Sequence, residues 1–157
     1  MFINNEIVNE QDRNKLLSNE HIDEIVRGEI AALEAYDEII DKLDNEFEIR
    51  RMREFKNDHK RAIDFWQKQA LIENKIPERS SSMWGAVVNG YVKLAEKFGE
   101  KYAIKAILRG EKHGLKNYKK MLNSPMLSEL QKIEIKNSFM PKQKKHIESM
   151  KSLLNKH

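Results

Sequence analysis

A ten-residue segment occurs twice in this chain, and this duplication restricts the folds that the sequence can adopt. Residues 27–36, RGEIAALEAY, align with residues 109–118, RGEKHGLKNY, and the two copies share Arg, Gly, Glu, Leu and Tyr at the same spacing. Each copy opens a pair of helical segments whose second member carries one histidine in its apolar stripe, His59 in the first half and His146 in the second. The sequence therefore predicts a duplicated helical hairpin.

Apolar residues recur at steps of three and four through both halves, which is typical of amphipathic helices. The pattern predicts four long helices, at about residues 19–43, 47–74, 100–122 and 127–154, and a short apolar helix at 83–98. The stripes point Phe47 inward on the second helix, and Leu130 and Ile133 inward on the last. Pro141 should kink that last helix, because proline lacks the backbone N–H and clashes with the preceding turn.

The composition agrees with an all-α domain. Among 157 residues, 39% are hydrophobic and 34% charged, and there are only 6 Gly and 3 Pro, which suits long solvated helices. We expect a partly ordered N-terminal segment, 1–18, and a bundle at 19–157, divided into a first hairpin (19–75), a crossover (76–99) and a second hairpin (100–157). Two hairpins joined by a long crossover predict a ferritin-like four-helix bundle, since few four-helix topologies need such a connection.

Charge and cysteine content exclude several classes of function. The chain has no cysteine, so it has no disulfide, thiolate metal site or cysteine nucleophile. Its 29 basic residues are interspersed with 25 acidic ones, which indicates solvated helix faces, and we do not expect nucleic-acid binding. The N-terminus has no basic stretch followed by an apolar run, and no segment approaches the roughly 18 apolar residues of a membrane span. We expect a cytoplasmic protein without a membrane partner.

Four polar residues lie in the apolar stripes and form a candidate metal site. Glu29 and Glu111 alternate with Ile and Leu, so the bundle that buries those residues also buries two carboxylates. A buried carboxylate must be protonated, hydrogen-bonded, paired with a cation or bound to a metal. His59 and His146 occupy the equivalent stripes of the second and fourth helices. Two carboxylates and two imidazoles suit iron, manganese or zinc, and a pseudo-twofold axis would bring all four together.

Tyr36 and Tyr118 follow the two glutamates by seven residues and lie on the same helix faces. Their hydroxyls are placed to hydrogen-bond the carboxylate of the facing helix, around the metal ligands. A second interpretation needs no metal: Glu29 and Glu111 pair with His59 and His146 as buried hydrogen-bonded couples, the relic of a metal site. The sequence leaves both interpretations open.

The Arg-Gly-Glu openings, the tyrosine seven residues after each glutamate, and the Pro-Ser connection leading into Trp84-Gly85 carry a family resemblance. From about Asn19 onward, the chain resembles an uncharacterised bacterial family of ferritin-like four-helix-bundle proteins classed as a domain of unknown function. More distantly it is similar to rubrerythrins and ferritins, which bind two irons with single glutamates on helices one and three and Glu-x-x-His on helices two and four.

The distant resemblance implies that Glu29, Glu111, His59 and His146 are ligands. The chain departs from the pattern at Lys56 and Gln143, where the other two glutamates would stand.

Two classes of function follow. The first is a ferritin-like metal-binding protein that acts in iron handling or the oxidative-stress response. The second is a non-catalytic structural or partner-binding bundle in which the same residues form a buried polar network. Homo-oligomers fit either class, because ferritin-like hairpins often pack against copies of themselves. No phosphate-binding glycine loop and no Ser-His-Asp arrangement is found in the sequence.

Overall fold

The computed structural model describes residues 10–73, 75 and 99–156. Three long helices are α1 (Glu10–Ile40), α2 (Glu46–Ile72) and α3 (Glu100–Met121). They are followed by α4 (Glu129–Glu134), a π-helical segment (Ile135–Phe139) and α5 (Met140–Lys156), which run on without a break and are called here the composite helix. The described residues contain no strand, so the predicted all-α class is confirmed. The short helix predicted at 83–98 lies outside them.

Local sequence signals determine where the helices begin. Asn45 caps α2, and its side-chain oxygen accepts hydrogen bonds from the backbone N–H groups of Phe47 (2.9 Å) and Glu48 (3.2 Å). Ser128 and Gln131 form a capping box at the start of α4. Gly99 precedes α3 with φ of 92°, a left-handed conformation that glycine adopts without strain. Helix α1 begins at Glu10, earlier than the stripe had predicted.

The π-helical segment changes which residues of the composite helix are buried. Pro141 lies two residues after its end, and a proline ring clashes with the carbonyl four residues earlier, which here belongs to Asn137 within the segment. A wider turn keeps residues four apart on one face, so the buried series within the composite helix is Gln131, Ile135, Phe139 and Gln143.

Three residues that the apolar stripes had placed inward are exposed instead. Leu130 and Ile133 are 54% and 51% exposed, because the π-helical segment shifts the buried face away from them. Phe47 is 79% exposed, because it lies in the first turn of α2, two residues after the Asn45 cap, at the end of the bundle.

The helices pack as two pairs. Helix α1 packs against α2 and α3, and α3 packs against α5. The core has two apolar clusters, one around Tyr36, Phe55 and Ile104 and the other around Trp66, Tyr118 and Phe139. The buried glutamates and histidines lie among these apolar residues. In the part of the chain that the structure describes, no helix is long and apolar enough to cross a membrane.

Two of the three phenylalanines of α2, Phe47 and Phe55, test which face of this helix is buried. Replacing Phe55, which is 0% exposed, with Ala should lower the free energy of unfolding by about 3–5 kcal/mol, since it leaves a cavity in the core. The matched Phe47→Ala change should alter it by no more than about 0.5 kcal/mol. Urea denaturation followed by circular dichroism measures both, and similar losses in the two variants would contradict the observed orientation of α2.

Candidate metal centre

The Glu111 carboxylate on α3 lies at the centre of a buried polar cluster. Its Oε1 accepts a hydrogen bond from the hydroxyl of Tyr36 on α1. The same oxygen lies 3.0 Å from Nε2 of His59 on α2 and 3.1 Å from Nδ1 of His146 on α5. Its Oε2 accepts a 2.5 Å hydrogen bond from the amide of Gln143. Glu111 therefore binds side chains from α1, α2 and the composite helix.

Glu29 on α1 occupies the equivalent position in the first repeat. Its Oε1 accepts a hydrogen bond from the hydroxyl of Tyr118, and its Oε2 lies 2.5 Å from Nδ1 of His59. Each tyrosine therefore donates to the glutamate of the other repeat, Tyr36 to Glu111 and Tyr118 to Glu29. Trp66 donates to the Tyr118 hydroxyl at 3.3 Å, which extends the network into the second apolar cluster. The two repeats thus face each other through reciprocal tyrosine–carboxylate hydrogen bonds.

The two histidines do not have equivalent partners. Both ring nitrogens of His59 face glutamates, Glu29 and Glu111. His146 also binds Glu111, but its Nε2 lies 3.1 Å from Oδ2 of Asp58 on α2. Asp58 is in turn 3.3 Å from the ammonium group of Lys142, whose side chain is 32% exposed. Asp58 breaks the symmetry of the duplicated site.

The buried charges compensate one another. Burial alone would lower the pKa of His59, but the carboxylates of Glu111 and Glu29 outweigh it and raise this pKa to about 10. Burial would also raise the pKa of Glu111, yet the cationic His59 and the hydrogen bonds from both imidazoles hold it well below its usual range. The partly buried Asp58 has a lowered pKa, because its bonds to His146 and Lys142 outweigh desolvation. Glu111, Asp58 and His59 are thus ionised in the metal-free protein at neutral pH.

The tyrosines stay protonated and act as hydrogen-bond donors. Burial raises the pKa of Tyr36 well above its ordinary value, and the negative charge of Glu111 raises it further. Burial and the neighbouring Glu29 have the same effect on Tyr118. Both side chains are enclosed in the core, at 0% and 1% exposure. They can therefore orient the carboxylates, but they do not act as bases near neutral pH.

Lys56 and Gln143 stand at equivalent positions, three residues before each histidine, and the structure separates their roles. Lys56 pairs with Asp37 near the surface. Gln143 is 5% exposed, and its amide donates both to the Glu111 carboxylate and, at 3.2 Å, to the Glu111 backbone carbonyl. Neither position supplies a carboxylate, so the cluster lacks the two additional glutamates of a di-iron pattern.

Three of the four predicted ligands form a group that could hold a metal ion. Among the described residues, His59, Glu111 and His146 each offer one ligand atom, and these atoms all lie within 4.8 Å of one another. Glu29 lies outside this group and contacts it through His59. Asp58, which the sequence analysis missed, adjoins His59 in the chain, but it lies outside the apolar periodicity that revealed the other residues.

Fold and cluster together define an all-helical protein with a buried carboxylate–histidine site. The chain belongs to the family described as Domain of unknown function (DUF2383), whose sequence model matches residues 18–124. The match includes Glu29, His59 and Glu111 and ends before the composite helix, which carries Gln143 and His146. No curated protein and no solved structure matches the chain.

Replacing two glycines of α3 with alanine should change the stability of the protein in opposite directions. A Cβ at Gly110 meets nothing within 4 Å, so Gly110→Ala should stabilise the protein by about 0.5–1 kcal/mol through helix propensity. A Cβ at Gly114 would lie 2.5 Å from the Gln143 amide nitrogen. Gly114→Ala should therefore displace Gln143 from Glu111, and losing a buried bond to a charged group costs about 1.5–3 kcal/mol.

Chemical denaturation and the NMR signals of the Gln143 side-chain amide measure the two glycine effects. A stabilising Gly114→Ala with an unshifted Gln143 amide would contradict the close approach seen here.

The positive charge on His59 predicts that the free energy of unfolding depends on pH in protein freed of metal by a chelator. Its folded pKa of about 10 is above the ordinary 6.5, so its stabilisation is complete below pH 6.5 and is lost as the pH rises towards 10. Glu111 has a lowered pKa, so its contribution to stability depends on pH in the opposite sense: it is present above about pH 4.5 and is lost in stronger acid. The stability difference between wild type and His59→Gln should therefore be largest near pH 5–6 and shrink by several kcal/mol by pH 10.

Urea denaturation across this pH range tests the prediction, with ¹⁵N NMR of the His59 ring as a direct readout. A His59 ring that loses its proton near pH 6.5, as in a model peptide, would show that the carboxylates do not hold the charge.

Proposed function

We propose that this chain binds one divalent transition-metal ion, iron, manganese or zinc, through Glu111, His59 and His146. The observation that supports this most is the convergence of three ligand atoms from three helices in an interior that is otherwise largely apolar. Two imidazoles and one carboxylate are a recurrent set for catalytic zinc and for non-haem iron(II). The three side chains are at most 2% exposed, so the chain holds them close together away from bulk water.

Two of the three separations between the ligand atoms fit such an ion, and the third, between the two histidines, is within 4.8 Å. Ligands bound about 2.1 Å from a metal, at angles of 90–110°, lie about 3.0–3.4 Å from one another. Glu111 Oε1 lies 3.0 Å from His59 Nε2 and 3.1 Å from His146 Nδ1. An ion in this group would replace the protons of these two hydrogen bonds.

Carboxylates that bind the remaining ring nitrogens also support the proposal. Ligand histidines usually donate their other N–H to a carboxylate or carbonyl, which fixes the ring orientation and raises its basicity. Glu29 accepts from Nδ1 of His59, and Asp58 accepts from Nε2 of His146. We therefore propose that Glu29 and Asp58 orient the two ligand histidines, and that Tyr36 and Gln143 orient Glu111. Glu29 is thereby removed from the set of four metal ligands expected from the sequence.

For the wider role, we propose iron handling or the oxidative-stress response, within a ferritin-like arrangement of two hairpins. The support is the resemblance in the sequence, the suitability of the donor set for iron, and the packing of α1 on α2 and of α3 on α5. When bound, a metal with three protein ligands supplies a Lewis-acidic or redox centre with positions left for an external ligand. The chain itself provides orientation, exclusion of water and charge balance.

One observation favours a second candidate, a structural bundle without metal. Each oxygen of Glu29 and Glu111 already has a hydrogen-bond partner within the protein. A satisfied buried network specifies the register of the helices without any ion. In that case the same residues stabilise the fold, and the protein acts through a partner.

Matched substitutions at equivalent repeat positions separate these functions. Wild-type protein purified without chelators should contain close to one metal ion per chain by elemental mass spectrometry. Glu111→Gln should reduce bound metal at least tenfold, because it removes the only carboxylate ligand. Glu29→Gln and Asp58→Asn, which keep a hydrogen-bond acceptor, should retain the ion with affinity weakened about 10–100-fold. Competition with a chromophoric chelator measures these affinities.

Denaturation of the metal-free variants controls for loss of the fold. Equal loss of metal from Glu111→Gln and Glu29→Gln would show that both glutamates are ligands, as the sequence had suggested. Absence of metal from wild type, even after anaerobic incubation with Fe²⁺, Mn²⁺ and Zn²⁺, would overturn the metal proposal and support the structural bundle.

A further inference from the structure

A cavity of about 30 Å³ lies between α1 and α3, on the side of the polar cluster where the two repeats face each other. A water molecule needs roughly 10–15 Å³ in the same measure, so the cavity has room for about two or three non-hydrogen atoms. Part of its wall is formed by side chains of the polar cluster, namely Glu29, Tyr36, His59, Glu111, Tyr118 and Gln143. Two further polar residues, His113 and Asn117, also line it.

Much of the rest of the wall comes from equivalent positions of the two repeats. Gly28 in the first repeat corresponds to Gly110 in the second, and both line the cavity. The same holds for the next positions along each helix on this face, Ala32 with Gly114 and Ala35 with Asn117. Small side chains at most of these positions leave a space that larger residues would fill, so the duplicated motif encodes the cavity together with the glutamates and tyrosines.

The chemistry of the wall limits what can occupy it. The oxygens of Glu29 and Glu111 already accept hydrogen bonds from tyrosines, histidines and Gln143. An anion would face two carboxylates against the one positive charge of His59. A cation held by the cavity wall would lack the His146 ligand, which does not line the cavity, and would find every oxygen of these glutamates engaged in a hydrogen bond. Either would lose its hydration without compensation, whereas an uncharged molecule loses little.

We propose that this cavity binds a small uncharged molecule of two or three non-hydrogen atoms, which enters between the two repeats beside Gly28 and Gly110. Both glycines are partly exposed, and a Cβ added to Gly110 meets open space. A molecule in the cavity contacts the Glu111 and His59 side chains directly. The binding itself requires no metal, so it stands or falls separately from the metal proposal.

Xenon is a suitable probe, because it is uncharged and enters small apolar cavities. Metal-free protein under increasing xenon pressure should show saturable NMR shifts at the Ile107 methyl groups and the Gly110 amide, both in the cavity wall. Two filling variants from opposite walls, Ala32→Leu and Ala106→Leu, should each reduce these shifts at least tenfold. Lys112→Leu, an exposed change on α3 outside the wall, should leave them unchanged.

Azide, a three-atom anion, provides the charge control and should cause no saturable shift at the same signals. Two filling variants are used so that one misfolded protein does not decide the result, and circular dichroism checks each fold. Xenon shifts that rise linearly throughout the protein, or that persist in both folded filling variants, would overturn the proposal. Saturable binding of azide would also overturn it, because it would show that the cavity accepts charge.

Discussion

The buried carboxylate of Glu111 is the interaction on which the rest of this structure depends. A carboxylate with 2% exposure would be strongly unfavourable alone, and here Tyr36, His59, His146 and Gln143 compensate it. These donors come from α1, α2 and the composite helix, so satisfying one charge fixes the relative register of all the long helices that the structure describes. Removing a donor would leave the charge partly unpaired, which couples the chemistry of the site to the stability of the fold.

The duplication makes this site symmetric in outline, and a few departures from the duplication make its two halves unequal. The reciprocal bonds from Tyr36 to Glu111 and from Tyr118 to Glu29 follow the repeat. Asp58 departs from it, since the equivalent position in the second half is Lys145, which is exposed. Because Asp58 binds His146, the two imidazoles converge on Glu111 and not equally on both glutamates. A symmetric sequence motif has thus produced one three-residue cluster, displaced toward α3 and the composite helix.

Much of the architecture was predictable, because apolar periodicity reports directly which face of a helix is buried. The all-α class, the approximate extents of α2 and α3 and the burial of both glutamates and both histidines followed from it. The inward orientation of Leu130 and Ile133 was wrong, because the π-helical segment changes the period within the composite helix. The exposure of Phe47 was missed for another reason, since a stripe does not show where the packed part of a helix ends.

The sequence by itself determined which polar groups must share the core. Glutamates and histidines in apolar stripes cannot reach water once the helices pack, so they must find partners among themselves, and the repeat limits which partners are equivalent. Only the tertiary structure decided which atoms meet. The selection of Glu111 over Glu29, the recruitment of Asp58 and the cavity between the repeats depend on distances between helices that are remote in sequence. Periodicity specifies the direction of a side chain around its own helix, but not the height and rotation of the neighbouring helix that it meets.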